Sequence, residues 1–165
     1  MANTFPQSIR QAAKKHPNHT AFRCGSESLT YAELDRKTDQ LASHLISKGV
    51  VKGDRVGVYM NRCIETAIAI YGIMKTGAVY VPLDPTLPLV RIAFLLEDCG
   101  IEHLISIPQL GRKHLKLLEH KVALKSIVGS SGELSMVSTS WEDISKVEAH
   151  PRMEGRQMFM IIAPL

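Results

Sequence analysis

Cysteine is scarce in this 165-residue chain: only Cys24, Cys63 and Cys99 occur, and no two are close in sequence. An odd, widely spaced set makes no disulfide framework and suits a reducing compartment. Long apolar runs are also missing. None approaches the roughly 18 residues that would suggest a membrane span. The opening Met1-Ala2-Asn3-Thr4-Phe5-Pro6-Gln7 lacks the basic start and apolar stretch of a signal peptide. Together these absences predict a cytoplasmic protein. Charge of one sign is barely in excess, with 20 Lys and Arg against 16 Asp and Glu, a balance of +4. Spread over many segments, that balance gives no footprint for nucleic acid.

Two kinds of ligand signature are absent as well. The seven histidines, His103, His114 and His120 among them, fall in no metal-ligand spacing, and no cysteine or carboxylate pattern completes a site. Gly129-Ser130-Ser131-Gly132 lacks the Gly-Lys-Ser/Thr of a phosphate loop and reads as a flexible turn. Gly49, Gly53 and Gly57 are explained separately, as a helix stop, a turn and a strand position.

What is present is ordinary globular material: 45% hydrophobic and 22% charged residues, in a length that suits one domain with a real core. Ser8 to Lys15 reads as a first helix stopped by His16-Pro17, followed by a strand at Ala21 to Cys24 and a turn through Gly25-Ser26. Thr30 and Glu33 have the spacing of a capping box, with Leu29 and Leu34 placed as a hydrophobic staple. The helix that follows has Tyr31, Leu34, Leu41 and Leu45 on one face and ends at Lys48-Gly49. Gly53-Asp54 is a turn and Arg55 to Met60 a strand.

The spacing next predicts a helix from Arg62 to Lys75, capped by Asn61 and closed by Gly77. Its apolar residues cover most of the circumference, so it should be largely buried. Val79-Tyr80-Val81 is a strand ended by Pro82. Strand, helix and strand make a βαβ unit, whose two strands must run parallel. A further helix starts at Pro88, presents Leu89, Ile92, Leu96 and Cys99, and stops at Gly100. Beyond it we expect strands at 104–107, 123–128 and 158–162 and helices at 111–120 and 141–147, with the least order at 129–157. The alternation is that of an α/β domain.

Three stretches in this order resemble the adenylate-forming (AMP-binding) superfamily of acyl-CoA synthetases, luciferases and nonribosomal peptide synthetase adenylation domains. Leu29-Thr30-Tyr31-Ala32-Glu33-Leu34 is similar to that family's first core motif, and Gly53-Asp54-Arg55-Val56 to the approach to its next strand. Met74-Lys75-Thr76-Gly77-Ala78-Val79-Tyr80-Val81-Pro82-Leu83-Asp84-Pro85 is similar to its second core motif, with Pro88, Arg91, Leu95 and Asp98 at the family's spacing beyond. The match is good over residues 5–107 and thins afterwards.

The resemblance implies a mainly parallel sheet with flanking helices, the partial N-terminal subdomain of that fold, occupying 1–165 as one incomplete domain. It also implies the chemistry of the full-length relatives. These attack the α-phosphate of ATP with a carboxylate, Mg²⁺ assisting, and pass the acyl group to CoA or a carrier-protein thiol. The family's Ser/Thr/Gly-rich phosphate loop, its acidic residue near ribose and metal, and its mobile lysine all follow the last strand seen here. Met158 to Ile162 leads instead into Ala163-Pro164-Leu165, so the sequence reads as a truncated piece. We therefore expect no catalytic, cofactor-binding or metal-binding residue in it, and no bound ATP or Mg²⁺ for this stretch alone. An alternative is an interaction module that pairs with a separately encoded remainder, and a third outcome is a degenerate product with no role. The Val81-Pro82-Leu83-Asp84-Pro85 form of the second motif leans toward amino-acid adenylation.

Some residues invite sharper readings. Asp84 and Arg91 are expected to form a structural salt bridge or a helix cap rather than a catalytic pair. Tyr31 and Tyr80 read as half-buried packing residues. Lys113, Lys116, Lys121 and Lys125 form a modest basic strip on a solvated helix face.

Overall fold

The structure, a computed structural model, describes residues 4–107, 110 and 126–128. The expected helices at 111–120 and 141–147, the strand at 158–162, the turn at 129–132 and the lysine strip lie outside them, as do His114 and His120.

Helix α1 spans Phe5–Lys15, starting earlier than Ser8 because Thr4 caps it. The Gln7 side chain reaches back to accept from the Thr4 N–H at 2.9 Å, and Pro6 costs the first turn no hydrogen bond. Strands β1 (Thr20–Cys24) and β2 (Glu27–Thr30) form an antiparallel hairpin through Gly25, whose φ of 61° suits a residue without Cβ. Only β1 is legible in the sequence, for β2 offers one buried apolar side chain, Leu29.

Helix α2 (Tyr31–Ser47) opens on the expected capping box. The Thr30 hydroxyl accepts from the Glu33 N–H at 3.3 Å, and the Glu33 carboxylate accepts from the Thr30 N–H at 2.9 Å. The hydrogen bonds donated to it by Thr30 hold the Glu33 carboxyl below its usual range. Leu29 and Leu34 are both buried in one core, as a staple over the cap requires. The helix hands over at Lys48 to Gly49, which has a φ of 94°.

Strand β3 (Arg55–Tyr59) is followed by α3 (Ile64–Thr76) and β4 (Val79–Leu83), and β3 and β4 are parallel. The cap of α3 is Cys63, not Asn61. The Thr66 hydroxyl bonds two residues of the incoming turn, accepting from the Cys63 N–H at 3.4 Å and donating to the Asn61 carbonyl at 2.8 Å, so the helix begins later. No residue of α3 is exposed, as its all-round apolar pattern predicts.

Pro82 does not end β4 but lies within it, opposite Val58. An edge strand tolerates proline, since the missing N–H would have faced away from the sheet. Helix α4 (Leu89–Asp98) follows, with Pro88 as its cap residue, and then β5 (His103–Ser106) and β6 (Ser126–Val128).

The larger sheet has the order β4-β3-β5-β6, and all its neighbouring pairs are parallel. Alternation along the strands divides the interior in two. Val56, Val58, Met60, Ile105 and Ile107 face α3, α2, α1 and the hairpin. Tyr59, Leu83 and Leu104 face α4. On that second face Gly57 is required by space, since a Cβ there would sit 2.7 Å from Leu104 Cδ1. The chain winds from β3 outward to β4, then back across β3 to β5. That reversal makes the sheet doubly wound.

Candidate functional site

In a doubly wound sheet, ligands favour the crevice beyond the carboxyl ends of the strands where the winding reverses, here between β3 and β5. The side chains at that edge are Tyr59, Asn61, Arg62, Cys63, Asp84 and Ser106. A phosphate there would need free N–H groups at the start of α3. Part of that start is engaged by its own chain: the Thr66 hydroxyl bonds the Cys63 and Asn61 backbone, and the Thr66 N–H donates to the Cys63 carbonyl at 3.2 Å. Glu65 is buried in the same turn, only 7% exposed. Burial, with that carboxylate beside it, pushes the Cys63 thiol up to about 12. That shift disfavours the thiolate form of Cys63.

Asp84 lies exposed at the end of β4. Its Oδ1 accepts from the Thr86 N–H at 2.9 Å and from the Thr86 hydroxyl at 2.8 Å, which holds its carboxyl below the usual range. The expected partnership with Arg91 does not form. The Arg91 guanidinium lies over the Phe94 ring instead, 5.2 Å from its centroid. Thr86 wins because it is two residues away, so a local turn satisfies Asp84 without ordering a longer loop. Nor does Asp84 cap α4, where Pro88 takes that place. Tyr31 is half-buried as expected, whereas Tyr80 on the edge strand is more open, 38% exposed. His103 is buried in β5.

A charge cluster that sequence reading missed occupies the opposite end of the molecule. The Lys75 ammonium, its side chain only 6% exposed, donates to Asp35 Oδ1 at 2.6 Å, to Asp39 Oδ1 at 2.8 Å and to the Asp35 carbonyl at 3.0 Å. Arg10 adds a bond to Asp39 Oδ1 at 2.8 Å. The cluster joins α1, α2 and α3 beside a cleft of about 480 Å³, lined in part by Gln7, Ser43, Ile46 and Met74. Two cations meet two carboxylates, so the cluster is neutral. All three ammonium protons of Lys75 are engaged, which leaves it no role as base or nucleophile. The arrangement ties helices together. Asp35 and Asp39, four residues apart on one helix face, were the only sequence sign of it.

Among the described residues, no group of three His, Cys, Asp or Glu side chains is placed to hold a metal ion. The described residues at the α3 start and in the Lys75 cluster bond to one another. The described residues define a scaffold of the doubly wound α/β class.

Comparison with known proteins identifies the scaffold. Residues 9–162 match the model of the AMP-binding enzyme family, and the chain belongs to that family. It is 44% identical over 97 residues to tyrocidine synthase 2 of Brevibacillus parabrevis, a stretch covering 59% of this chain and 3% of that one. The fold matches the N-terminal domain of FACL13 from Mycobacterium tuberculosis with a TM-score of 0.74 at 24% identity, over 82% of this chain and 35% of that one. It also matches the nonribosomal peptide synthetase FmoA3 in its α-methyl-L-serine-AMP bound form, with a TM-score of 0.67 at 28% identity, over 82% of this chain and 15% of that one. The architecture is accordingly the N-terminal subdomain of the adenylate-forming fold. The chain spans a small part of the synthases it resembles and about a third of the solved FACL13 domain.

Proposed function

We propose that this chain is the N-terminal scaffold of a cytoplasmic adenylate-forming ligase that activates a carboxylic acid with ATP and Mg²⁺ for transfer to a CoA or carrier-protein thiol. The favoured acid is an amino acid. Two likenesses support that choice: the 44% identity to tyrocidine synthase 2, and the fold shared with a peptide synthetase that carries an α-methyl-L-serine adenylate. In this reading residues 5–107 supply packing and orientation, and none of them touches the reacting atoms. The observation that carries it is the start of α3. Its first turn bonds its own chain through Thr66 and holds the buried Glu65, which supports a packing role for this stretch.

Amino-acid-dependent ATP–pyrophosphate exchange tests the reading. The chain alone is expected to give none. Replacing the matching stretch of tyrocidine synthase 2 with residues 5–107 of this chain is expected to preserve exchange by the hybrid. Exchange by the isolated chain would refute the scaffold role. A folded hybrid that binds substrate yet gives no exchange would refute the family function proposed for it.

A further inference from the structure

The loop between α1 and β1 holds two histidines in a fixed frame. The His16 N–H donates to the Ala12 carbonyl at 2.7 Å, and the His16 carbonyl accepts from the His19 N–H at 3.1 Å. The His19 carbonyl in turn accepts from the Tyr31 N–H at 3.0 Å, and the Pro17 carbonyl from the Ala32 N–H at 3.1 Å. The turn is thus anchored to the start of α2, and Pro17 removes a further backbone freedom. On this frame the two imidazoles stack, with centroids 4.9 Å apart and planes 13° from parallel. Both residues are exposed.

We propose that His16 and His19 form a bidentate surface site for a divalent transition-metal ion that prefers imidazole, copper(II) foremost, with water completing its coordination. Imidazole nitrogens bind such ions at about 2.0–2.1 Å, so one ion can join two nitrogens roughly 3–4 Å apart. The rings, exposed and with centroids 4.9 Å apart, are close enough that side-chain rotation alone would bring a nitrogen of each onto one ion in this proposal. The anchored frame lowers the ordering cost of chelation. No third His, Cys, Asp or Glu among the described residues joins them, so the site carries no carboxylate. Magnesium and calcium, which seek oxygen ligands, are disfavoured, and copper(II) heads the divalent series on nitrogen donors. Lys14 and Lys15, in the last turn of α1, oppose a cation and keep the site weak. The ion would clasp the end of α1 to the residue before β1, an arrangement the unfolded chain lacks, so binding would stabilise the fold.

Isothermal titration with copper(II) chloride, with magnesium chloride as the control, tests the site together with thermal melting of the same samples. The expected result is one copper(II) ion per chain. His16→Ala and His19→Ala should each weaken binding by at least about tenfold, as loss of a chelate demands. Copper(II) should raise the Tm of the parent and of neither variant, and magnesium should do nothing. The turn is held by the backbone of both histidines, so both variants should melt like the parent without metal. Unchanged binding in the double variant, an effect from only one of the two single variants, or no copper(II) binding by the parent would each overturn the proposal.

Discussion

The two faces of the main sheet are finished to different depths. On one, α3 is covered in turn by α2, α1 and the β1–β2 hairpin, and Leu34, Leu45 and Ile73 are 0% exposed. On the other, α4 is the covering helix among the described residues. It buries Ile92 and Leu96 against the sheet but leaves Val90 70% and Phe94 50% exposed. Among the described residues, the same kinds of element thus bury one face more deeply than the other. The deeper side also carries the polar fastenings, the Thr30–Glu33 box and the Lys75 cluster. On the other side the Arg91 guanidinium over Phe94 is an exposed contact, and such contacts are weak. The fastenings sit at the rim of the layer: only the Lys75 side chain is buried, while Asp39 and Arg10 are about half exposed.

The comparison breaks most sharply at Leu34. Leu34→Ala should cost about 3 kcal/mol in chemical denaturation, since a fully buried leucine leaves a cavity as well as losing its transfer energy. A loss near that of an exposed leucine would show the deep layer to be loosely packed. Next comes Lys75→Met, expected to cost about 2 kcal/mol, because two carboxylates lose their cation yet stay partly solvated. In the double variant Lys75→Met with Asp35→Asn the costs should fall short of additive, which a double-mutant cycle reads directly.

Thr30→Ala should cost about 1 kcal/mol at neutral pH by removing the α2 cap. It should also alter the acid response. The folded Glu33 carboxyl sits below its ordinary 4.5, so its contribution is complete above that value and is lost as the pH falls through the folded pKa. The gap in stability between parent and variant should therefore narrow below about pH 4.5 and stay constant above it. The smallest effect belongs to the less deeply buried face. Val90→Lys and Phe94→Lys should each change stability by less than about 0.5 kcal/mol in chemical denaturation. A large loss there would mean α4 is as deeply engaged as α3.

How legible these features were depended on how local they are. The α2 cap, the glycine stops at Gly49 and Gly77 and the parallel β3–α3–β4 unit could all be read from residues a few positions apart. Strand β2 could not, since Glu27-Ser28-Leu29-Thr30 has little apolar content and becomes a strand only by pairing with β1. Pro82 looked like a terminator because the sequence does not say that β4 lies at an edge. Asn61 looked like a cap because its amide side chain is a common one, yet the Thr66 hydroxyl and the Cys63 backbone settled the helix start two residues later.

By itself the sequence determined helices α1 to α4, the parallel pairing of β3 with β4 and the family, because periodicity, caps and turn residues act over short spans and the two core motifs are contiguous. Tertiary structure alone decided which charges meet. Lys75 finds Asp35 and Asp39 across 40 and 36 residues. Such encounters depend on how separate helices pack, and packing is set by the whole chain's burial rather than by any local run of residues.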